Sequence, residues 1–206
     1  MSSQHTDVLL IGGGVMSVTL ASLIAELDTS RTITVVEQSS QLASESSDAW
    51  NNAGTGHAGY CELNYTPEQA DGTVSIDRAL AINEQFEVSL QFWSSLVTSG
   101  RLPAPENFIR NVPHLSWVQG KDACRFLKNR HSALQEHPLF AGMEFSDQAN
   151  TLNQWLPLVT RSRSVFEPAA ATRVAHGSDV NFGALTRLLG RSLAQRDNCE
   201  INLGWQ

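Results

Sequence analysis

Asp7-Val8-Leu9-Leu10-Ile11-Gly12-Gly13-Gly14-Val15-Met16-Ser17 decides the fold. The apolar run Val8–Ile11 reads as a short strand buried on both faces, and it runs straight into three glycines. Beyond them Ala21, Leu23, Ile24, Ala25 and Leu27 carry a helix. Strand, tight glycine turn and helix together present backbone N–H groups to a phosphate. Gly12 allows the sharp turn, Gly14 lets backbone approach a pyrophosphate, and Val15, Met16 and Ser17 complete the candidate binding turn. Ser17 stands where G-x-G-x-x-G has its third glycine. That position handles helix-on-strand packing, so a small serine is a partial match.

A glycine turn alone is compatible with any α/β unit. The second strand discriminates. Thr32-Ile33-Thr34-Val35-Val36-Glu37 reads as β-branched and apolar, ending in an acid. Glu37 falls close to where a carboxylate meets a ribose 2′-OH. A right-handed crossover makes the two strands parallel neighbours.

The 206 residues suffice for one large domain, or one domain with a subdomain. A hydrophobic fraction of 41% and a charged fraction of 17% are those of a globular protein. A net charge of −7 argues against nucleic acid as a partner. No stretch approaches the ~18 consecutive apolar residues of a membrane span, and no signal peptide is recognisable. A cytoplasmic location is expected, with peripheral membrane contact left open. Cys61, Cys124 and Cys199 are dispersed and form no C-x-x-C pair, which indicates reduced packing thiols. The six histidines lack metal-ligand spacing, so no metal is expected.

Asp48-Ala49-Trp50-Asn51-Asn52-Ala53-Gly54-Thr55-Gly56-His57-Ala58-Gly59 is the second informative stretch. It has neither helical nor strand periodicity. Its glycines allow close backbone approach to a ligand, and Asn51, Asn52 and Thr55 supply hydrogen bonds. Turn chemistry in a surface loop accounts for the same composition.

Three groups of residues carry a family resemblance. They are Gly12–Ser17, Trp50–His57 and Cys61-Glu62-Leu63-Asn64-Tyr65-Thr66-Pro67. Ile82–Phe86, Gln91-Phe92-Trp93, Asn111–His114, Glu167–Arg173 and Asp179–Gly183 continue it in matching order. The chain resembles the malate:quinone oxidoreductase family along its whole length. Members are FAD enzymes that oxidise (S)-malate to oxaloacetate, a tricarboxylic acid cycle step, and pass electrons to a membrane quinone. The resemblance implies FAD bound by Gly12, Gly14, Val15, Met16, Ser17, Glu37, Asn51, Asn52, Gly54, Thr55 and Gly56. It also implies attachment at the cytoplasmic face of the inner membrane. Members are more than twice as long, so an N-terminal portion with an incomplete fold is expected.

The fold class expected is α/β, a Rossmann-like FAD-binding βαβ domain with inserted helices and the start of an antiparallel substrate-side sheet. Residues 1–75 are read as the FAD-binding core, 76–164 as a helical and β insertion, and 165–206 as the return to the FAD-binding domain. Ile82, Phe86, Leu90, Trp93 and Val97 lie on one face of a helix over 76–99, with Asp77 as N-cap and Gly100 as stop. Strands are expected around 108–110 and 114–118, helices over 121–137 and 146–155, and β structure over 165–174. A helix over 180–196 capped by Asp179 precedes a last strand.

Malate oxidation requires a base at the hydroxyl and cations for two carboxylates. His57 is the candidate base or contact. Arg161, Arg163 and His114 are the candidate carboxylate ligands, with salt-bridged or structural roles as the alternative. Three other readings stay open: a different flavin oxidase of hydroxy or amino acids, an NAD-binding dehydrogenase, and a non-catalytic module holding the ADP half of FAD.

Overall fold

The computed structural model describes residues 5–161 and 167–205. In chain order its elements are β1 (Val8–Ile11), α1 (Val15–Leu27), β2 (Ile33–Glu37), α2 (Asp77–Thr98), β3 (Ile109–Asn111), β4 (His114–Gln119) and α3 (Lys121–Leu134). There follow β5 (Glu144–Ser146), α4 (Ala149–Trp155), α5 (Pro157–Thr160), β6 (Ala169–Val174), β7 (Ser178–Val180), α6 (Phe182–Leu193) and β8 (Cys199–Leu203). The architecture is α/β, as expected. Residues 1–55, 91–110 and 179–206 form one unit, and residues 56–90 and 111–178 form a second.

In the first unit β1, β2 and β8 make a parallel sheet with β2 in the middle. Val8 and Leu10 align with Ile33 and Val35, which align in turn with Cys199 and Ile201. That face meets α1 and α6, which also pack on each other. Val18, Ala21 and Ala25 of α1 and Leu185, Leu189 and Leu193 of α6 are buried there. The βαβ reading of residues 6–37 therefore holds, and the expected last strand joins β2.

The reading of β1 as buried on both faces is corrected. Leu9 is 54% exposed and Ile11 80% exposed. With Thr34, Val36, Asn202 and Trp205 they border an open groove of about 320 Å³. An unbroken apolar run says that both faces tolerate burial, but only neighbouring elements decide which face receives it.

Leu42 locks this unit from outside the regular elements. A Cβ on Gly13 would lie 2.6 Å from Leu42 Cδ2, and a Cβ on Gly190 would lie 2.3 Å from Leu42 Cδ1. The leucine thus sits as a knob between the glycine turn and α6, each methyl received by a missing side chain. The start of α6 is also corrected. Asn181 Oδ1 accepts the Ala184 N–H at 2.8 Å as N-cap, and Asp179 lies inside β7. Both residues are good caps by type, so strand pairing of β7 with β3 decides between them.

In the second unit β4, β6 and β5 form an antiparallel sheet with β6 in the middle. It contains the expected strand over 114–118, whereas the one expected around 108–110, β3, pairs instead with β7 in a separate two-stranded sheet. α3 packs on it, and Val118, Leu127 and Ala170 form a buried cluster flanked by Leu63, Ala123, Cys124 and Phe145. α3 stops at Leu134, three residues before the expected end, and a 3-10 turn at Pro138–Phe140 follows. α4 begins at Ala149 because Glu144–Ser146 is used as β5. α2 starts at Asp77, which places that aspartate in the first turn instead of at the cap. Gly100 closes the helix with a φ of +73° and an N–H bonded to Val97 O at 3.0 Å.

Gly190→Ala should lower stability by about 1–3 kcal/mol through overpacking against Leu42, since a shift of Leu42 away from α6 drives it into Gly13. Adding Leu42→Ala should recover part of that loss, so that the two changes are strongly non-additive in urea unfolding. Additive losses would contradict the knob arrangement.

Candidate functional site

The glycine turn is tied down on both sides. Gly12 takes a φ of +99°, and its N–H donates to Val36 O at 2.8 Å, which holds the turn in register with β2. The Gly13 N–H donates to Glu37 Oε2 at 2.5 Å, and Glu37 Oε1 accepts the Ser39 N–H at 2.7 Å. The N–H groups of Ser39 and then Gly13 hold the Glu37 carboxyl below its ordinary value, against the opposing effect of burial. Each carboxylate oxygen keeps further lone-pair capacity for an external hydroxyl.

α1 starts without a capping side chain on Gly14 and without an acidic residue in its first turn. The positive end of its dipole is therefore uncompensated by its own sequence. The Val15 N–H donates to Ser47 Oγ at 3.0 Å, and Ser47 is buried. A cavity of about 40 Å³ lies at this helix start, lined by Gly14, Glu37 and residues 43–47. Ala43 adopts a left-handed φ of 57°, uncommon for a non-glycine, and its N–H bonds to Gly13 O at 3.0 Å. That bend turns the 43–47 loop around the cavity.

The asparagines expected at the cofactor brace this loop. Asn51 Nδ2 donates to Glu45 O and Asn52 Nδ2 to Ser46 O, both at 3.2 Å. Asn52 Oδ1 accepts the Gly54 N–H at 2.9 Å. Gly54 is demanded by protein packing. Its φ is +70°, and a Cβ would lie 2.5 Å from Asp179 Oδ1 and 3.0 Å from Val180 O. Thr55 forms an isolated antiparallel bridge with Asp179. Met16 is 81% exposed, and Ser17 is half-buried on the first turn of α1.

In the second unit Gly56 packs against Phe86 and Ser178, and its N–H donates to Ser178 O at 2.8 Å. His57 is exposed and pairs through Nδ1 with Glu62 Oε1 at 3.2 Å. A carboxylate on one imidazole nitrogen leaves the other available for proton transfer. His114 has both nitrogens engaged. Nε2 donates to Ser178 O at 3.0 Å, and Nδ1 faces Cys61 Sγ at 3.9 Å. Neither is free for a carboxylate. Burial pushes the Cys61 thiol up to about 12, so it stays a protonated packing group, in line with the expectation of packing thiols. Arg161 is exposed after α5, and Arg163 lies outside the described residues. Among the described residues no group of three or more His, Cys, Asp or Glu is placed to hold a metal ion.

The structure thus gathers Gly14 and Glu37 around one cavity, with Asn51 and Asn52 supporting its wall. Sequence reasoning missed Gly13, Leu42, Ser47, Glu62 and Arg130. Gly13 and Leu42 carry no distinguishing spacing, and Ser47 is one serine in a serine-rich run. Arg130 had a signal: it falls three residues after Leu127 and four before Leu134, on the apolar face of α3.

The fold is shared with solved oxidoreductases. L-alpha-glycerophosphate oxidase from Mycoplasma pneumoniae, solved with FAD bound, matches with a TM-score of 0.64 at 15% identity, over 98% of this chain and 45% of that one. Glycine oxidase from Geobacillus kaustophilus matches with a TM-score of 0.65 at 13% identity, over 98% and 47%. At these identities the likeness defines the fold class alone, an α/β fold. The family follows from sequence. The profile described as Malate:quinone oxidoreductase (Mqo) matches residues 4–206. A probable malate:quinone oxidoreductase of Hahella chejuensis is 54% identical over 203 residues, 98% of this chain and 41% of that protein. One from Methylobacillus flagellatus is 56% identical over 200 residues, 97% and 41%. The chain belongs to the malate:quinone oxidoreductase family, and it spans 41% of the length of these two relatives.

Glu37→Gln removes two charge-assisted bonds and should cost about 1–3 kcal/mol at neutral pH. Because the folded-state value of Glu37 is depressed, its contribution is present above the ordinary value of 4.5 and is lost as pH falls through the lowered one. The melting-temperature gap between wild type and Glu37→Gln should therefore narrow on acidification. A gap constant with pH would sink this account.

Proposed function

We propose that this chain forms the FAD-binding portion of an enzyme that oxidises (S)-malate to oxaloacetate and passes the electrons to a membrane quinone. The supporting observation is the Glu37 carboxylate, pinned by Gly13 and Ser39 beside the start of α1, whose first turn carries no acidic residue. These residues fit a dinucleotide. Gly14 and the N–H groups of Met16 and Ser17, which have no intrahelical partner by position, suit a pyrophosphate. Glu37 suits ribose hydroxyls, and its two backbone donors set its orientation before a ligand arrives. Gly12 and Val15 shape the turn. Asn51, Asn52, Gly54, Thr55 and Gly56 shape the adjoining loop.

FAD, when bound, supplies the two-electron acceptor for hydride from malate C2. His57 takes the hydroxyl proton, with Glu62 holding its other nitrogen. Arg161 and Arg163 are the side chains assigned to the malate carboxylates, where a guanidinium gives paired donors. His114 is left to its structural bonds. Quinone is met by peripheral contact, proposed here at the cytoplasmic face; among the described residues no helix is long and apolar enough to cross a membrane.

The purified chain should be yellow, and (S)-malate should bleach it under anaerobic conditions where an amino acid does not. Gly14→Val, whose side chain enters the cavity, should lose the colour while keeping its circular dichroism. His57→Gln should keep the colour and slow bleaching by about 10²- to 10⁴-fold. A colourless, folded wild-type chain would overturn the assignment.

A further inference from the structure

Residues 57–62 form no helix or strand, yet Ala58, Gly59 and Tyr60 are buried. Buried backbone carbonyls there need partners that no sheet provides. Four successive ones are served by side chains. Asn83 Nδ2 donates to Ala58 O at 2.7 Å. Arg130 Nη2 donates to Gly59 O at 3.0 Å and Tyr60 O at 3.1 Å. Ser116 Oγ donates to Cys61 O at 2.8 Å. Arg130 Nε reaches Thr66 Oγ1 at 2.9 Å and closes the far end of the segment. Asn83, Arg130 and Ser116 are all buried.

Arg130 is a costly choice for a carbonyl clamp. It is fully buried, and its Nη1 has no hydrogen-bond partner among the described residues. Burial lowers its pKa to about 10, so it remains a cation at neutral pH. The Glu62 carboxylate supplies part of the opposing charge. Glu62 Oε2 is likewise buried without a partner among the described residues, while its Oε1 meets His57 Nδ1 at 3.2 Å. A cation thus anchors the segment that carries an anion, and the anion touches an exposed imidazole.

We propose that Glu62, carried on the segment that Arg130 anchors, is the positioning residue of His57: it accepts the Nδ1–H and so fixes the tautomer whose Nε2 is free to take a proton. The assignment of Nε2 as the accepting atom rests on the reading of His57 as the base. Arg130 acts one step further back, by holding Gly59, Tyr60 and Thr66, which bracket Glu62. Only a carboxylate supplies an acceptor with a full negative charge, which also stabilises the imidazolium formed when Nε2 is protonated. His57 meets the Glu62 carboxylate, and Glu62 in turn faces the Arg130 guanidinium and the protonated Cys61 thiol.

The test uses the whole 206-residue chain labelled with ¹⁵N-histidine, with His57→Gln to assign the imidazole signals. Proton–nitrogen spectra of the neutral ring should show a protonated Nδ1 and a bare Nε2. Glu62→Ala should shift His57 toward the Nε2–H form favoured by free histidine, and Glu62→Gln, which retains an oxygen acceptor, should restore the wild-type pattern in part. Arg130→Met should shift His57 in the same direction; if it does not fold, the Glu62 variants decide. A wild-type ring already in the Nε2–H form, or one unchanged in Glu62→Ala, would overturn the proposal. Malate-driven bleaching separates the two readings. If His57→Gln bleaches as fast as wild type while the tautomer depends on Glu62, the positioning stands and the base assignment fails. If both hold, Glu62→Ala should slow bleaching by about 10- to 100-fold.

Discussion

The first unit depends on one carboxylate. Glu37 ends β2 and reaches the turn after β1, so a single side chain couples the two strands beyond their own ladder. Its Oε2 takes the Gly13 N–H, and its Oε1 takes the N–H of Ser39. Without it both donors would lose their acceptor, at a cost of about 1–3 kcal/mol each. The approach is close: a Cβ on Gly13 would sit 3.1 Å from Glu37 Cβ, a tight contact, and 2.6 Å from Leu42 Cδ2. The same residue is therefore a structural tie and, in the function proposed above, the ligand of a ribose. Both roles need the ionised form.

Leu42 and Ser47 extend that tie into the next loop. Leu42 fills the space left by Gly13 and Gly190, and Ser47 caps the Val15 N–H. Asn51 and Asn52 then hold the carbonyls of Glu45 and Ser46. The second unit uses the same device more heavily, with Asn83, Arg130 and Ser116 serving four carbonyls in a row. Irregular backbone can be buried only where side chains replace the missing ladder. In both units the polar residues around a candidate site hold backbone first.

Much of this is legible in the residues. β1, α1, β2 and Glu37 follow from an apolar run, three glycines and a β-branched strand ending in an acid. α2 follows from its apolar stripe, and the family from the Trp50–His57 and Cys61–Pro67 stretches. The departures share one cause: a residue type has more than one use. Glycine in the 54–56 loop suggests room for a ligand, yet Gly54 makes room for Asp179 and Val180. Asp179 suits a helix cap by type and is a strand residue near the true cap, Asn181. His114 suits a carboxylate ligand by type, yet its nitrogens go to Ser178 O and Cys61.

The sequence by itself determined the periodic and local features, because strand and helix patterns and glycine turns are written within a few residues of one another. It determined family membership for the same reason, since motif order survives without coordinates. Only the tertiary structure decided which face of β1 is covered and that Leu42 seats between Gly13 and Gly190. It alone brought Arg130 to carbonyls some 70 positions earlier in the chain. These are partnerships across long sequence separation, where one polar or apolar side chain has many possible partners, and packing selects among them by excluding the geometries that leave a buried group unserved.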